Sequence, residues 1–170
     1  MDFSYYEQHI NKETIGRYDL TPLFENPEVF ENLVKDLLQP IQKSYDKIIG
    51  LDALGFPIAG AISYKTKKPL VLIRKGGKLP GIPQTKTTVV FTDYSKQEKA
   101  FEMNKKSIQQ GDKVLIVDEW METGTQIRAA AKLVEERGGV VAAITLLGAE
   151  KTEQTKDLFE KYTIYAVKTF

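Results

Sequence analysis

The chain has no cysteine and one histidine, His9. The first absence excludes disulfides, thiolate metal sites and a cysteine nucleophile. The second excludes histidine-rich metal centres, and His9, in a polar segment, reads as a surface residue. No segment has the length of apolar chain that a membrane span needs. The opening MDFSYYEQHI lacks the basic and then apolar design of a signal peptide, so a cytoplasmic protein without a membrane partner is expected. An excess of one charge is missing too. With 24 Lys and Arg against 23 Asp and Glu the net charge is +1, which gives no electrostatic case for a nucleic-acid partner. Repeats and low-complexity tracts are absent. What remains is 170 residues of ordinary globular composition, enough for one domain with a full core.

The chain is organised around Lys113–Arg137. The run Val114–Val117, after a Gly111-Asp112 turn, reads as a buried strand of a parallel sheet. Ile127, Ala130, Ala131 and Val134 then share one face of a helix that Gly138-Gly139 stops. Between them lie Asp118-Glu119 and Glu122-Thr123-Gly124-Thr125. In open α/β sheets ligands bind at the carboxyl ends of strands, and free N–H groups at a helix start favour phosphate. Two carboxylates before such a cradle suit a ligand with paired hydroxyls and a phosphate, such as a ribose 5-phosphate. The plain alternative is a solvated loop with Thr125 as helix cap.

Elsewhere the order of elements fits an α/β domain. Residues 1–25 show no period and read as irregular. Asn26-Pro27-Glu28 starts a helix that runs to about Pro40. Lys47–Leu51 and Pro69–Ile73 read as strands on either side of a helix at about Pro57–Tyr64. Thr87–Phe91 reads as a strand, and Thr92–Ala100 as a polar insert, either a flap or an exposed hairpin tip. A strand at Val140–Leu147, a helix near Glu153–Lys161 and a strand at Thr163–Val167 complete the chain. Arg74-Lys75-Gly76-Gly77-Lys78 puts three cations around two glycines at a strand's carboxyl end, at the same end of the sheet as Asp118-Glu119. Such a loop can neutralise phosphate oxygens, or can be a solvated turn.

The stretch from Lys113 resembles the phosphoribosyl-diphosphate (PRPP) motif of type I phosphoribosyltransferases: apolar strand, two acids, two large residues, a short segment with Thr-Gly, then a helix. Further segments are similar to adenine phosphoribosyltransferases. They are Asp19–Leu23, Gly50–Phe56, Pro69–Gly81, and Phe101–Ile108 followed by Gly111–Leu115. The resemblance covers roughly residues 16–168. It implies a parallel twisted sheet flanked by helices, with a small hood from about residues 1–25 plus the C-terminal segment and a flap at about 80–104. It also implies phosphoribosyl transfer from PRPP to a purine base, with Mg²⁺ carried by PRPP rather than by protein ligands, in a homodimer. Carried residue by residue, Asp118 and Glu119 match the acids that hold the ribose hydroxyls. Glu122, Thr123, Gly124, Thr125 and Gln126 match the 5-phosphate loop. Asp52, Ala53 and Leu54 match the pyrophosphate loop, where a cis peptide is common, and Arg74, Lys75 and Lys78 match cations near the pyrophosphate. Ile15, Arg17 and Tyr18 match the wall of the base site.

Four positions depart from the adenine enzymes. The loop reads Glu122-Thr123-Gly124-Thr125-Gln126 and lacks a second glycine. Glu122 stands where those enzymes have alanine and 6-oxopurine enzymes have an acid. It reads either as a general acid/base at N7 of the base or as an acid favouring the helix start. Leu54 replaces an arginine, a loss of about 1.5–3 kcal/mol of charge-assisted hydrogen bonding. The flap's Glu-Tyr-Gly element falls on Ser95-Lys96-Gln97, without a carboxylate in register. Trp120, beside the acids, reads as stacking on a base or as packing under the loop. Two functions therefore compete: a purine phosphoribosyltransferase, adenine-like and with Glu122 beside Asp118 and Glu119 as catalytic candidates, or a PRPP- or nucleotide-binding regulator that has lost turnover.

Overall fold

The computed structural model describes residues 1–15, 18–92 and 97–170. In chain order its elements are α1 (Phe3–Glu7), α2 (Thr21–Glu25), α3 (Pro27–Leu38), β1 (Lys47–Leu51), α4 (Gly55–Thr66) and β2 (Leu70–Lys75). They are followed by β3 (Lys86–Thr92), β4 (Glu98–Asn104), β5 (Lys113–Met121), α5 (Thr125–Glu135), β6 (Val140–Ala149), α6 (Lys156–Lys161) and β7 (Ile164–Thr169). The strands form one sheet in the order β3-β4-β2-β1-β5-β6-β7.

The five neighbouring strands β2, β1, β5, β6 and β7 are parallel, with helices on both faces of the sheet. One face carries Ile49, Leu51, Val114 and Ile116 against α5 residues such as Ile127, Ala130, Ala131 and Val134. The other carries Ile48, Leu115 and Val117 against α3 and α4 residues such as Leu33, Leu37, Ile58 and Ile62. Burial on both faces is why β1, β5 and β6 are largely apolar runs, whereas Leu70 and Leu72 of β2 stay partly exposed. Asn26 caps α3 as its sequence announces, accepting from the N–H groups of Glu28 and Val29 at 3.1 and 3.3 Å.

The sheet differs from the expected parallel one in being mixed. β4 runs antiparallel to both β2 and β3. The segment expected as a flap is therefore mostly a hairpin that extends the sheet, with Phe101 and Met103 buried. Residues 93–96 lie outside the described residues, as does most of the triplet expected in the flap's catalytic register. The N-terminal stretch expected to be irregular contains α1 and α2. Each has only five residues, too few for a helical period to show, and each is fixed by a buried side chain, Tyr6 in α1 and Leu23 in α2. Strand β5 is longer than its apolar run, because pairing with β6 continues from Asp118↔Leu146 to Met121↔Ala149. Asp118 and Glu119 thus sit in the strand rather than in the loop after it.

Candidate active site

β1 ends at Leu51, while its neighbour β5 runs on beside β6. Chain leaving β1 turns through Asp52-Ala53-Leu54 into α4 on one face, and chain leaving β5 turns through 122–124 into α5 on the other. This divergence opens a crevice at the carboxyl ends of the strands, the place where α/β sheets take ligands. It is a cavity of about 440 Å³. Asp52, Ala53, Leu54, Lys75, Asp118, Glu119, Trp120 and all of Glu122–Gln126 line it, together with Tyr18. Residues from the pyrophosphate-loop, acid-pair and phosphate-loop expectations thus converge on one space.

The acids are held in an unfavourable state. Asp118 is only 4% exposed. Burial raises its pKa well above the usual carboxylate value, the neighbouring charge of Glu119 raises it further, and Lys75 opposes the shift. Its Oδ1 accepts the Glu119 N–H at 3.0 Å. Among the described residues, Glu119 Oε2 is the buried side-chain oxygen with no hydrogen-bond partner. A buried acceptor of this kind stabilises a donor brought by a ligand more than it stabilises the fold.

Asp52 organises the basic loop. Its Oδ2 accepts from Arg74 Nε at 3.2 Å and from the Lys75 backbone N–H at 3.4 Å. Arg74 also lies 5.8 Å from the Phe56 ring centre. Of the three expected cations, only Lys75 lines the cavity; Arg74 is engaged with Asp52, and Lys78 is exposed outside the lining. The Asp52–Ala53 peptide is cis.

The loop expected to hold phosphate pivots on Gly124, whose φ of +74° is open to glycine and strained for other residues. Gly124, not Thr125, is the N-cap of α5, and no side chain caps that helix end. The N–H groups of its first turn are left to a ligand. The hydroxyls of Thr123 and Thr125 share a hydrogen bond of 2.9 Å. Glu122 is exposed and lies on the cavity wall.

Trp120 is a packing residue whose ring also reaches the cavity wall. It packs against Phe3 and Phe170, with ring centres at 6.1 and 5.4 Å, and it also lines the cavity. Gly148 makes this possible, because a Cβ there would meet the Trp120 ring at 2.5 Å. Of the expected base-site wall, Tyr18 lines the cavity, Ile15 is fully exposed and outside the lining, and Arg17 lies outside the described residues.

A phosphoribosyl transferase domain model matches residues 22–168, which is most of the chain. Adenine phosphoribosyltransferase of Fervidobacterium nodosum is 38% identical over 130 residues, covering 76% of this chain and 74% of that one. The Clostridium botulinum enzyme of the same name is 34% identical over 158 residues, covering 92% and 90%. The crystal structure of adenine phosphoribosyltransferase from Thermoanaerobacter pseudethanolicus superposes with a TM-score of 0.87 at 25% identity, over 99% of both chains. The chain belongs to the phosphoribosyltransferase family.

Within this phosphoribosyltransferase several site residues escape sequence reading. Leu20, Met121, Ile127 and Glu150 also line the cavity. Glu150 arrives because its N–H donates to the Met121 carbonyl at 2.8 Å, a consequence of β5–β6 pairing that no local pattern announces. Arg128 is outside the lining but donates from Nη1 to the Thr123 carbonyl at 2.9 Å. A cation in the first turn of a helix opposes the helix dipole, and that misfit was a legible signal.

Proposed function

We propose that the chain transfers the phosphoribosyl group of PRPP to a purine base, giving a nucleoside 5′-monophosphate and pyrophosphate, in purine salvage. The observation that carries this reading is the convergence on one cavity of the buried acids, Lys75 and the uncapped start of α5.

The roles follow from the chemistry of each group. Asp118 and Glu119 accept the ribose hydroxyls, which relieves the unpartnered Glu119 oxygen. The 123–126 backbone and the Thr125 hydroxyl hold the 5-phosphate. Lys75 and the Asp52–Leu54 backbone receive pyrophosphate, while the Asp52 side chain accepts the Lys75 N–H and pairs with Arg74. With phosphate and ribose fixed, the anomeric carbon has one orientation toward the base. Mg²⁺ would enter carried by PRPP, whose phosphate oxygens are the hard donors it prefers, while Asp118 and Glu119 stay with the ribose hydroxyls. When bound it supplies charge neutralisation at the departing pyrophosphate. Glu122, on the exposed wall, exchanges a proton with a purine nitrogen in this reading. Tyr18 and Trp120 are the aromatic groups available to the base. Residues 1–25 and the C-terminal segment act as the hood, joined across the site by the Phe3–Trp120–Phe170 cluster.

The protein works as a cytoplasmic homodimer. Leu70 and Leu72 of β2 are 37% and 38% exposed. They sit beside Ile48 and Gly50 on the α4 side of the sheet, where α4 leaves them uncovered. Tyr64 of α4 is exposed on the same side, and a second copy of this surface covers all three.

The test is incubation with PRPP, Mg²⁺ and a panel of adenine, hypoxanthine, guanine and xanthine, following pyrophosphate release. Turnover with any of them supports the reading. PRPP binding by calorimetry without turnover on the panel leaves a nucleotide-binding regulator in its place.

A further inference from the structure

The phosphate loop has a second support that none of these roles uses. Arg128, one turn into α5, sends its guanidinium back across the loop. Nη1 donates to the Thr123 carbonyl at 2.9 Å. Nη2 donates to the Gln154 carbonyl, and the fork closes on Asp157, with Nη2 to Oδ1 at 2.5 Å and Nε to Oδ2 at 3.0 Å. One planar group thus joins the loop to the segment after β6.

The consequence lies in the Thr123–Gly124 peptide. A trans peptide is planar, so its N–H points opposite to its C=O. With the Thr123 carbonyl drawn outward to Arg128, the Gly124 N–H is turned away from Arg128. The next carbonyl, of Gly124, accepts the Arg128 backbone N–H at 2.9 Å. Both peptides around Gly124 are therefore tied to the same residue. The loop also rests on a fixed seat: a Cβ on Gly124 would meet Leu158 Cδ1 at 2.5 Å. The buried Thr155 hydroxyl beneath it donates to the Glu150 carbonyl at 2.7 Å and accepts the Thr152 N–H at 2.9 Å.

The ion pair is a poor candidate for a fold stabiliser. The Arg128 and Asp157 side chains are 36% and 63% exposed, and pairs so open to water contribute little. A cation at this place also opposes the α5 dipole. We propose that Arg128 is a positioning residue: latched to Gln154 and Asp157, it aims the Gly124 N–H at the 5-phosphate of the substrate. This rests on the phosphate-loop reading above.

The experiment is steady-state kinetics of the full chain with PRPP, Mg²⁺ and the base that the panel identifies, for Arg128→Met, Arg128→Lys, Asp157→Ala and the double variant. Arg128→Met is expected to raise KM for PRPP about tenfold, with KM for the base and kcat within about twofold. Its thermal midpoint is expected to stay within about 2 °C, since the pair is solvent-facing. Lysine lacks the fork and restores only part of the loss. Asp157→Ala raises KM for PRPP about threefold, and adding it to Arg128→Met changes nothing more, because the two act as one unit. An unchanged KM for PRPP in Arg128→Met, with the wild type active, overturns the proposal and leaves the phosphate-loop reading standing. A midpoint that falls in step with KM across the set overturns it in favour of a structural role. A wild type that neither binds nor uses PRPP overturns both.

Discussion

Asp118→Asn should make the protein more stable and less active. The buried Asp118 carboxylate sits beside Glu119, and both its burial and that charge disfavour ionisation. Because its pKa is raised in the folded state, the folded chain binds the proton more tightly than the unfolded chain does. Stability from this group is therefore full below the ordinary value of 3.8 and is lost as pH rises toward the raised folded value. Asparagine removes the charge and keeps the shape. At neutral pH the gain is set by one poorly compensated buried group, about 1–3 kcal/mol. For a chain of this size that raises the melting midpoint by roughly 2–12 °C. The same change removes a charged acceptor for a ribose hydroxyl, worth about 1.5–3 kcal/mol, so kcat/KM for PRPP should fall about 10- to 150-fold. The assay is a melting series from pH 4 to pH 9 on both proteins, with pyrophosphate release measured alongside. The wild type should lose stability relative to the variant as pH rises. A variant that melts lower than the wild type at neutral pH, or whose difference from it does not change with pH, refutes the reasoning.

Three other outcomes are expected. Glu122→Ala should lower kcat about 100-fold with PRPP affinity nearly unchanged if Glu122 moves the proton of the base, and a large loss of PRPP affinity by calorimetry places it with the ribose acids instead. Gly124→Ala forces a left-handed residue and a Cβ against Leu158, so chemical denaturation should show a loss of about 1–3 kcal/mol along with weaker PRPP binding. Leu72→Lys should yield a monomer by light scattering at micromolar concentration, while shifting the stability of the chain itself by only about 0.5 kcal/mol, since Leu72 is partly exposed.

The parts of the fold that were legible in the sequence are those whose signal is local. Lys47–Leu51 is a strand with the expected bounds, and α3 begins at its Asn-Pro pair. α1 was hidden because what fixes it is Tyr6, a ring buried in the core and hydrogen-bonded at 2.5 Å to Asp36, thirty residues away. β4 was hidden because burial alternates only over Phe101 and Met103, while Glu98 and Lys99 at its start are exposed. The site divides in the same way. Asp118, Glu119 and the Thr-Gly turn are adjacent in sequence because one strand-loop-helix unit presents them. The division of labour between Arg74 and Lys75 depends on where the Asp52 carboxylate points, and the contribution of Glu150 depends on register across two strands. Neither is written in any run of residues.

The position of Trp120 has a consequence for how this protein can be watched. It is the only tryptophan in the chain, and it stands between the acid pair and Glu122, against Gly148. Its emission is therefore a local gauge of one strand end, whereas far-ultraviolet dichroism averages over every helix and strand. In a denaturant titration the two signals coincide if the cavity opens only when the whole domain does. An earlier fluorescence transition identifies this crevice as the first part of the molecule to come undone.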